Sequence, residues 1–279
     1  MLPAGVEHLQ LEGDGVRLHC AAAGPRDGPL ALLLHGFPEN WMAWRHQIPA
    51  LAADGFRVVC PDLRGYGGSD KPRAVADYRI ERLTADVERL IRGLGRESAD
   101  VVGHDWGGYI AWHLAMRHPE RVRKLAVLNM PHPERMWRGL RTLRQLRKSW
   151  YFFFFQLPVL PERFVSPRRI RDGLRHGTVR KGAYDEADIE AIVAGVGDRT
   201  GPLNYYRAAA RHRSPRWAPV IAETLVIWGQ RDSALGEELA EPDRRWVPRA
   251  RVERIPDATH WVLADAPERV NALLRSFLR

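Results

Sequence analysis

Three side chains in this 279-residue chain have the types and places needed for covalent hydrolytic chemistry: Asp105, His260 and Asp232. Asp105 lies in VVGHDWGG (101–108), which reads as a buried strand ending in a glycine-tight turn with the aspartate at its apex. The G-x-S-x-G elbow carries a serine at that apex. A carboxylate is ionised at pH 7 without help, whereas a hydroxyl needs a base. It attacks carbonyls poorly but can displace a strained or good leaving group at an sp3 carbon. The product would be an alkyl ester of Asp105. Its cleavage requires water, a base to activate that water, and donors for the tetrahedral oxyanion. Helix capping is the plain alternative for Asp105, because aspartate is a good N-cap.

His260, in IPDATHWVLADAPERV, is expected in the loop between the last strand and the last helix, at the rim where Asp105 emerges. Asp232, in LVIWGQRDSAL, follows the preceding strand and completes the chain order nucleophile, acid, histidine. Asp257 is nearer to His260 in sequence, yet three residues along one loop assure no side-chain contact. The other strand end, LNMPHPE (128–134), offers no acid before Glu134. HGFPENW (35–41) is the candidate oxyanion loop, with the backbone N–H groups of Phe37 and Trp106 converging on the ester carbonyl. Pro38 removes a competing donor and stiffens the loop, and a cis Phe37–Pro38 bond is compatible with it. His35 and Gly36 are expected to brace the loop, and His104 to face away from Asp105 in a similar supporting part.

Positioning these groups takes an α/β scaffold. VEHLQLEGD and VRLHCAAAG alternate and read as an opening antiparallel hairpin. Nearly continuous apolar runs follow at 29–36, 56–63, 99–105 and 124–130, and resume at 224–229 and 251–258. Helical patterns over 41–53, 81–95 and 107–118 separate the earlier runs, and PERVNALLRSFLR closes the chain. Apolar strands alternating with helices imply a mostly parallel sheet covered on both faces. Residues 134–214 break the rhythm with arginine-rich helices, an aromatic cluster and repeated prolines, with no convincing strand. The expected division is a core of 1–133 and 215–279 with a helical cap (lid), 134–214, inserted after the sixth strand. Ligands bind at the carboxyl ends of strands in such sheets, which is where a lid would sit.

The formal charge of +9 raises the question of nucleic acid or membrane partners. The excess is nearly all arginine, 39 against 4 lysines, spread along the chain, and no nucleic-acid-binding motif accompanies it. In RMWRGLRTLRQLRK (135–148) arginines recur every third residue beside Trp137, Leu140, Leu143 and Leu146. That spacing predicts one amphipathic helix with a solvated basic side. YFFFFQLPVL is too short to span a bilayer. The start of the chain has neither a basic n-region nor an apolar h-region. Cys20 and Cys60, isolated on strands, suit reduced thiols in the cytoplasm. Expected partners are a small molecule and water, with no nucleic acid, no membrane and no metal, in a monomer or homodimer.

HGFPENWMAWRHQIPALAADGFRVVCPDLRGYGGSDKP, VVGHDWGGYIAWHLAMRHPERV and DATHW together resemble the soluble epoxide hydrolases of the α/β-hydrolase fold, over nearly the whole chain from about residue 10. The resemblance implies that fold, no cofactor, and opening of an epoxide to a vicinal diol. It also implies two lid tyrosines that donate to the ring oxygen. SWYFFFFQLP carries one over to Tyr151, and LNYYR the other to Tyr206, with Tyr205 adjacent. Haloalkane and haloacid dehalogenases share the core motifs and remain the alternative. Phe37 stands where haloalkane dehalogenases often place asparagine, and Trp106 where fluoroacetate-type enzymes tend to have arginine. The Trp106 indole N–H could still serve a halide. A non-catalytic receptor on this fold would show a damaged triad.

Overall fold

Short apolar runs closed by glycine, proline or polar residues become eight strands in the computed structural model, which describes residues 5–212 and 217–279. They are β1 (Glu7–Glu12), β2 (Arg17–Ala23), β3 (Leu30–Leu34), β4 (Arg57–Pro61), β5 (Ala99–His104), β6 (Val122–Leu128), β7 (Glu223–Gly229) and β8 (Ala250–Ile255). They form one sheet in the order β1-β2-β4-β3-β5-β6-β7-β8. β1 pairs antiparallel with β2, and β2 antiparallel with β4; every later pairing is parallel. All residues of β3, β4 and β5 are buried, as a sheet covered on both faces requires. From β3 the chain crosses to β4 on one side and then returns to β5 on the other. The β3/β5 boundary is therefore the topological switch point, where ligands of open α/β sheets bind. Leu34 at the end of β3 pairs with Gly103 near the end of β5, so the loops after both strands leave the sheet side by side.

The helices are α1 (Gln47–Ala53), α2 (Ile80–Gly93), α3 (Trp106–Arg117), then α4 (Pro133–Gly139), α5 (Leu143–Lys148), α6 (Trp150–Phe154), α7 (Leu160–Phe164), α8 (Pro167–His176), α9 (Glu186–Val196) and α10 (Thr200–Arg211) between β6 and β7, and finally α11 (Val262–Asp265) and α12 (Pro267–Leu278). Around the sheet α1 lies beside α12 and α2 beside α3. The stretch from α4 to α10 contains no strand. Its expected junction with the core at 214/215 lies outside the described residues. No helix among the described residues is long and apolar enough to cross a membrane. Cys20 and Cys60 are free and buried on the neighbouring β2 and β4.

Two helices differ from the sequence reading. The single amphipathic helix expected over 135–148 is split into α4 and α5. Gly139 ends α4 where a side chain would run into Leu239, and the Thr142 hydroxyl starts α5 by accepting from the Gln145 N–H at 3.3 Å. The apolar side of that stretch does not face a core: Trp137 is 54% and Leu143 73% exposed. The helix expected over 41–53 opens as a 3-10 turn at Trp41–Trp44, where the Asn40 side chain takes the Met42 N–H at 2.9 Å, before α1 begins.

Candidate active site

Asp105 ends β5 in an unfavourable backbone conformation, φ 49° and ψ −122°. A non-glycine residue adopts positive φ only where its surroundings impose it. Here β5 must turn at once into α3 with backbones in close approach. A Cβ on Gly107 would meet the Leu34 carbonyl, and one on Gly36 would meet the Asp105 side chain itself. Asp105 occupies the N-cap position of α3, yet its carboxylate makes no capping bond. Its Oδ1 instead accepts the Phe37 N–H at 2.8 Å, from the loop after β3. The Trp106 N–H opens α3 directly behind the carboxylate. Pro38 follows a cis peptide bond. His35, fully buried, ties the loop down: Nδ1 donates to the Gly36 carbonyl at 2.9 Å and Nε2 accepts the Leu63 N–H at 3.0 Å.

His260 sits between two carboxylates. Its Nε2 is 3.4 Å from Asp105 Oδ2, and its Nδ1 is 2.7 Å from Asp232 Oδ2. Burial alone would lower the His260 pKa, but the charge of Asp232 and the hydrogen bonds to both carboxylates hold it well above the ordinary histidine range. Burial likewise pushes Asp105 up, and the bond and charge of His260 with the Phe37 amide bring it below the usual carboxylate value. Asp232 is lowered against burial by the charge of His260 and by its hydrogen bonds. Its Oδ1 takes the N–H groups of Ala234 (2.7 Å) and Leu235 (2.9 Å). Its Oδ2 also takes the Asn129 amide at 2.8 Å. Asp257 instead pairs on the surface with Arg231.

Three supporting residues, Asn129, Asp265 and Glu39, escaped the sequence reading. Asn129, at the end of β6 and fully buried, bridges to β7 by accepting the Gly229 N–H at 3.0 Å while it holds Asp232. Its position is the LNMPHPE strand end, so the signal available was a strand-end polar residue of the wrong type for an acid. Asp265 holds the His260 loop through the Thr259 N–H (2.8 Å) and hydroxyl (2.6 Å), and reaches the Val179 N–H at 2.7 Å. Glu39, 1% exposed, accepts the Tyr184 hydroxyl at 2.9 Å, and burial pushes its carboxyl up to about 7. His104 supports the same wall: Nε2 donates to the His260 carbonyl at 2.8 Å, which leaves Nδ1 as a bare acceptor 3.7 Å from Glu39 Oε2. Burial lowers His104 to about 4, so it is neutral. A neutral ring acceptor facing Glu39 favours the protonated carboxyl, in the same direction as burial.

Above Asp105 and His260 lies a cavity of about 280 Å³ lined by Phe37, Phe155, Leu174, Trp261, Tyr151 and Tyr206, among others. Its wall is mostly apolar, so an uncharged organic molecule would fit with the polar groups gathered at its floor. The Tyr151 and Tyr206 rings are 6.0 Å apart. Burial and the negative Asp105 raise both hydroxyls, which are therefore neutral donors. Tyr205 does not reach the cavity: its hydroxyl donates to the Arg64 carbonyl at 2.8 Å inside the core. Gln156 donates to the carbonyls of Phe152 (3.0 Å) and Tyr206 (3.1 Å), joining the segments that carry the two tyrosines. Arg207 adds bonds to the Phe155 and Leu157 carbonyls at 3.1 and 2.9 Å. The Trp106 indole packs edge-on against Tyr206, at 4.9 Å. Among the described residues no three His, Cys, Asp or Glu side chains are grouped to hold a metal ion.

Comparison with known proteins places these features in company. A family profile described as alpha/beta hydrolase fold matches residues 29–267. Epoxide hydrolase 3 of Xenopus tropicalis is 41% identical over 98% of this chain and 77% of its own length. AB hydrolase superfamily protein YfhM of Bacillus subtilis (strain 168) is 37% identical over 99% of each chain. The crystal structure of a Bacillus megaterium epoxide hydrolase in complex with an inhibitor superposes with a TM-score of 0.88, at 32% identity, covering 97% of this chain and 99% of that one.

Proposed function

The chain belongs to the alpha/beta hydrolase fold family and is an epoxide hydrolase within it, and from that premise we propose a two-step reaction through an ester of Asp105. Asp105 Oδ1 is held by the Phe37 amide, so Oδ2 is the attacking atom and Oδ1 becomes the ester carbonyl oxygen. Oδ2 attacks an epoxide carbon from the cavity floor, the carbon–oxygen bond of the ring breaks, and Tyr151 and Tyr206 supply a proton to the departing oxygen. An alkoxide is a far stronger base than a halide, which is why this leaving group needs a proton donor, whereas a departing halide needs only N–H groups to bind it. In the second step His260 takes a proton from water, and the hydroxide adds to the Asp105 carbonyl carbon. The Phe37 and Trp106 amides hold the oxyanion. Collapse expels the diol oxygen, which takes the proton from His260, and the acid proton left on Asp105 passes to the tyrosinate, so that carboxylate, imidazole and phenol are all restored. Asp232 orients His260 and stabilises its protonated form. Esterification discharges Asp105, one of the two carboxylates that hold His260 high, and so lowers the ring toward the range of a working base. The buried free thiols suit the cytoplasmic setting expected from the sequence.

The observation that carries this reading is His260 bridging Asp105 and Asp232 at the floor of a cavity that both tyrosines line. An aryl or alkyl epoxide should yield the vicinal diol, and a bromoalkane should release little bromide; the reverse would favour the dehalogenase. His260→Gln should reduce turnover by roughly 10²–10⁴-fold, the usual share of general-base catalysis. Intact mass should then show one substrate mass added to the protein, located on Asp105. Undiminished turnover without an adduct would remove the two-step assignment.

A further inference from the structure

The segment over the cavity presents apolar side chains to solvent where an ordinary surface would not. Among the described residues, most of the large exposed apolar side chains fall between residues 137 and 160. Trp150, Phe153 and Leu157 follow at i, i+3 and i+7 along α6 and its continuation, and Val159 and Leu160 extend the ridge into α7. Phe153 is 54% and Leu157 44% exposed. Contiguous patches of this kind on a folded protein mark contact surfaces.

The arginines run along the whole chain, but the acids that offset them are sparse here, so net charge peaks in the same place. Residues 133–169 hold nine arginines and lysines against two acids, a formal +7 of the chain's +9. Both acids are already engaged, Glu134 by Arg138 and Glu162 by Arg207. Arg147 and Arg163 are exposed and have no ion-pair partner among the described residues. Flexible arginines flanking exposed tryptophan, phenylalanine and leucine meet both requirements of a lipid interface. The apolar groups enter the headgroup boundary and the guanidinium groups meet anionic phosphates. Nucleic acid would use the arginines and aromatics but has no use for Leu157, Val159 and Leu160.

The ridge also adjoins the cavity. The Trp150 ring packs edge-on against Phe164 at 6.0 Å, and Phe164 lines the cavity. The Arg169 guanidinium lies 4.1 Å from the Phe164 ring centre on the same wall.

We propose that the face formed by α4–α7 docks peripherally on an anionic lipid bilayer, with Trp150, Phe153, Leu157 and Leu160 at the headgroup boundary and Arg147 and Arg163 on lipid phosphates. No described helix is long and apolar enough to cross a membrane, so the docking proposed for this face is peripheral. The cavity wall then faces the bilayer, and apolar epoxides dissolved in lipid reach Asp105 without crossing water. This last consequence rests on the epoxide hydrolase reading; the docking does not.

Co-sedimentation of the full chain with vesicles tests the docking directly. The protein should pellet with phosphatidylcholine vesicles containing phosphatidylglycerol, remain largely in the supernatant with phosphatidylcholine alone, and release as NaCl rises from about 0.05 M to about 0.5 M. Phe153→Ser with Leu157→Ser, and separately Arg147→Gln with Arg163→Gln, should each weaken vesicle binding by about tenfold. Both double variants should hydrolyse a water-soluble epoxide at the wild-type rate, which shows that they fold. Wild-type protein that stays in the supernatant with anionic vesicles overturns the proposal, as does binding that neither double variant weakens. Concentration-dependent dimerisation abolished by Phe153→Ser with Leu157→Ser, without vesicle binding, would assign the face to a second copy and equally overturn it. Absence of diol in the control assay would count against the reaction and leave the vesicle result standing.

Discussion

Tyr205 and Tyr206 are adjacent in sequence and serve different structures. Tyr205 gives its hydroxyl to the Arg64 carbonyl in the core, while Tyr206 lines the cavity over Asp105. Tyr151→Phe and Tyr206→Phe should each slow ring opening by roughly 10–100-fold, within the span of general-acid effects, with little change in stability. Tyr205→Phe should do the opposite, costing about 1 kcal/mol of stability by denaturation while the rate holds. Glu39 gives a pH-dependent outcome. Its folded value of about 7 lies above the ordinary 4.5, so the folded protein binds more protons between those values. Stability is therefore favoured below pH 4.5 and falls as pH rises through 7. Glu39→Gln keeps an acceptor for Tyr184 and removes that loss. Its stability relative to wild type should improve by about 1–3 kcal/mol between pH 4.5 and pH 8 in urea titrations. Asp105, His260 and Asp232 were legible because each sits at a strand end in a set chain order. Asn129, Glu39 and Asp265 were not, since their meaning lies in partners distant along the chain; Asn129 and Asp232 are 103 residues apart.

At the scale of elements, the inner strands were readable because burial on both faces demands unbroken apolar runs, and each expected run overlaps a strand. Their order was not: nothing in the residues of β3 says that β4 lies on one side and β5 on the other. The helices over the cavity were harder still. They are short, α4 and α5 among them, and their ends depend on contacts such as Gly139 against Leu239 rather than on local pattern. In α8, Gly173 lines the cavity, and a Cβ built on it meets nothing within 4 Å. Gly173→Ala should therefore stabilise the protein by about 0.5–1 kcal/mol through helix propensity. Gly173→Leu should project into the cavity and lower kcat/KM for a bulky aryl epoxide well below its value for a small alkyl one. Equal effects on both substrates would show that this wall does not set substrate size.

Seen across the whole molecule, the helices after β6 are fastened to the loop that carries Asp232. Lys148 of α5 donates to the Asp232 carbonyl at 2.7 Å and to the Leu235 carbonyl at 3.3 Å. Gln145 donates to the Ala234 carbonyl at 2.9 Å and accepts the Gly236 N–H at 3.0 Å. Residues 232–236 thus take their shape partly from a segment that is remote in the chain. The consequence concerns recombination: the substrate-facing helices are not an interchangeable module. A chimera that imports another hydrolase's counterpart of residues 133–211 should bind epoxide and stall at the ester, because its Asp232 loop has lost the donors that shape it. A chimera that imports the counterpart of residues 232–236 as well should turn over, and single-turnover mass measurements would separate the two. Residues 133–211 and 232–236 are joined by these bonds across the strand that separates them in the chain.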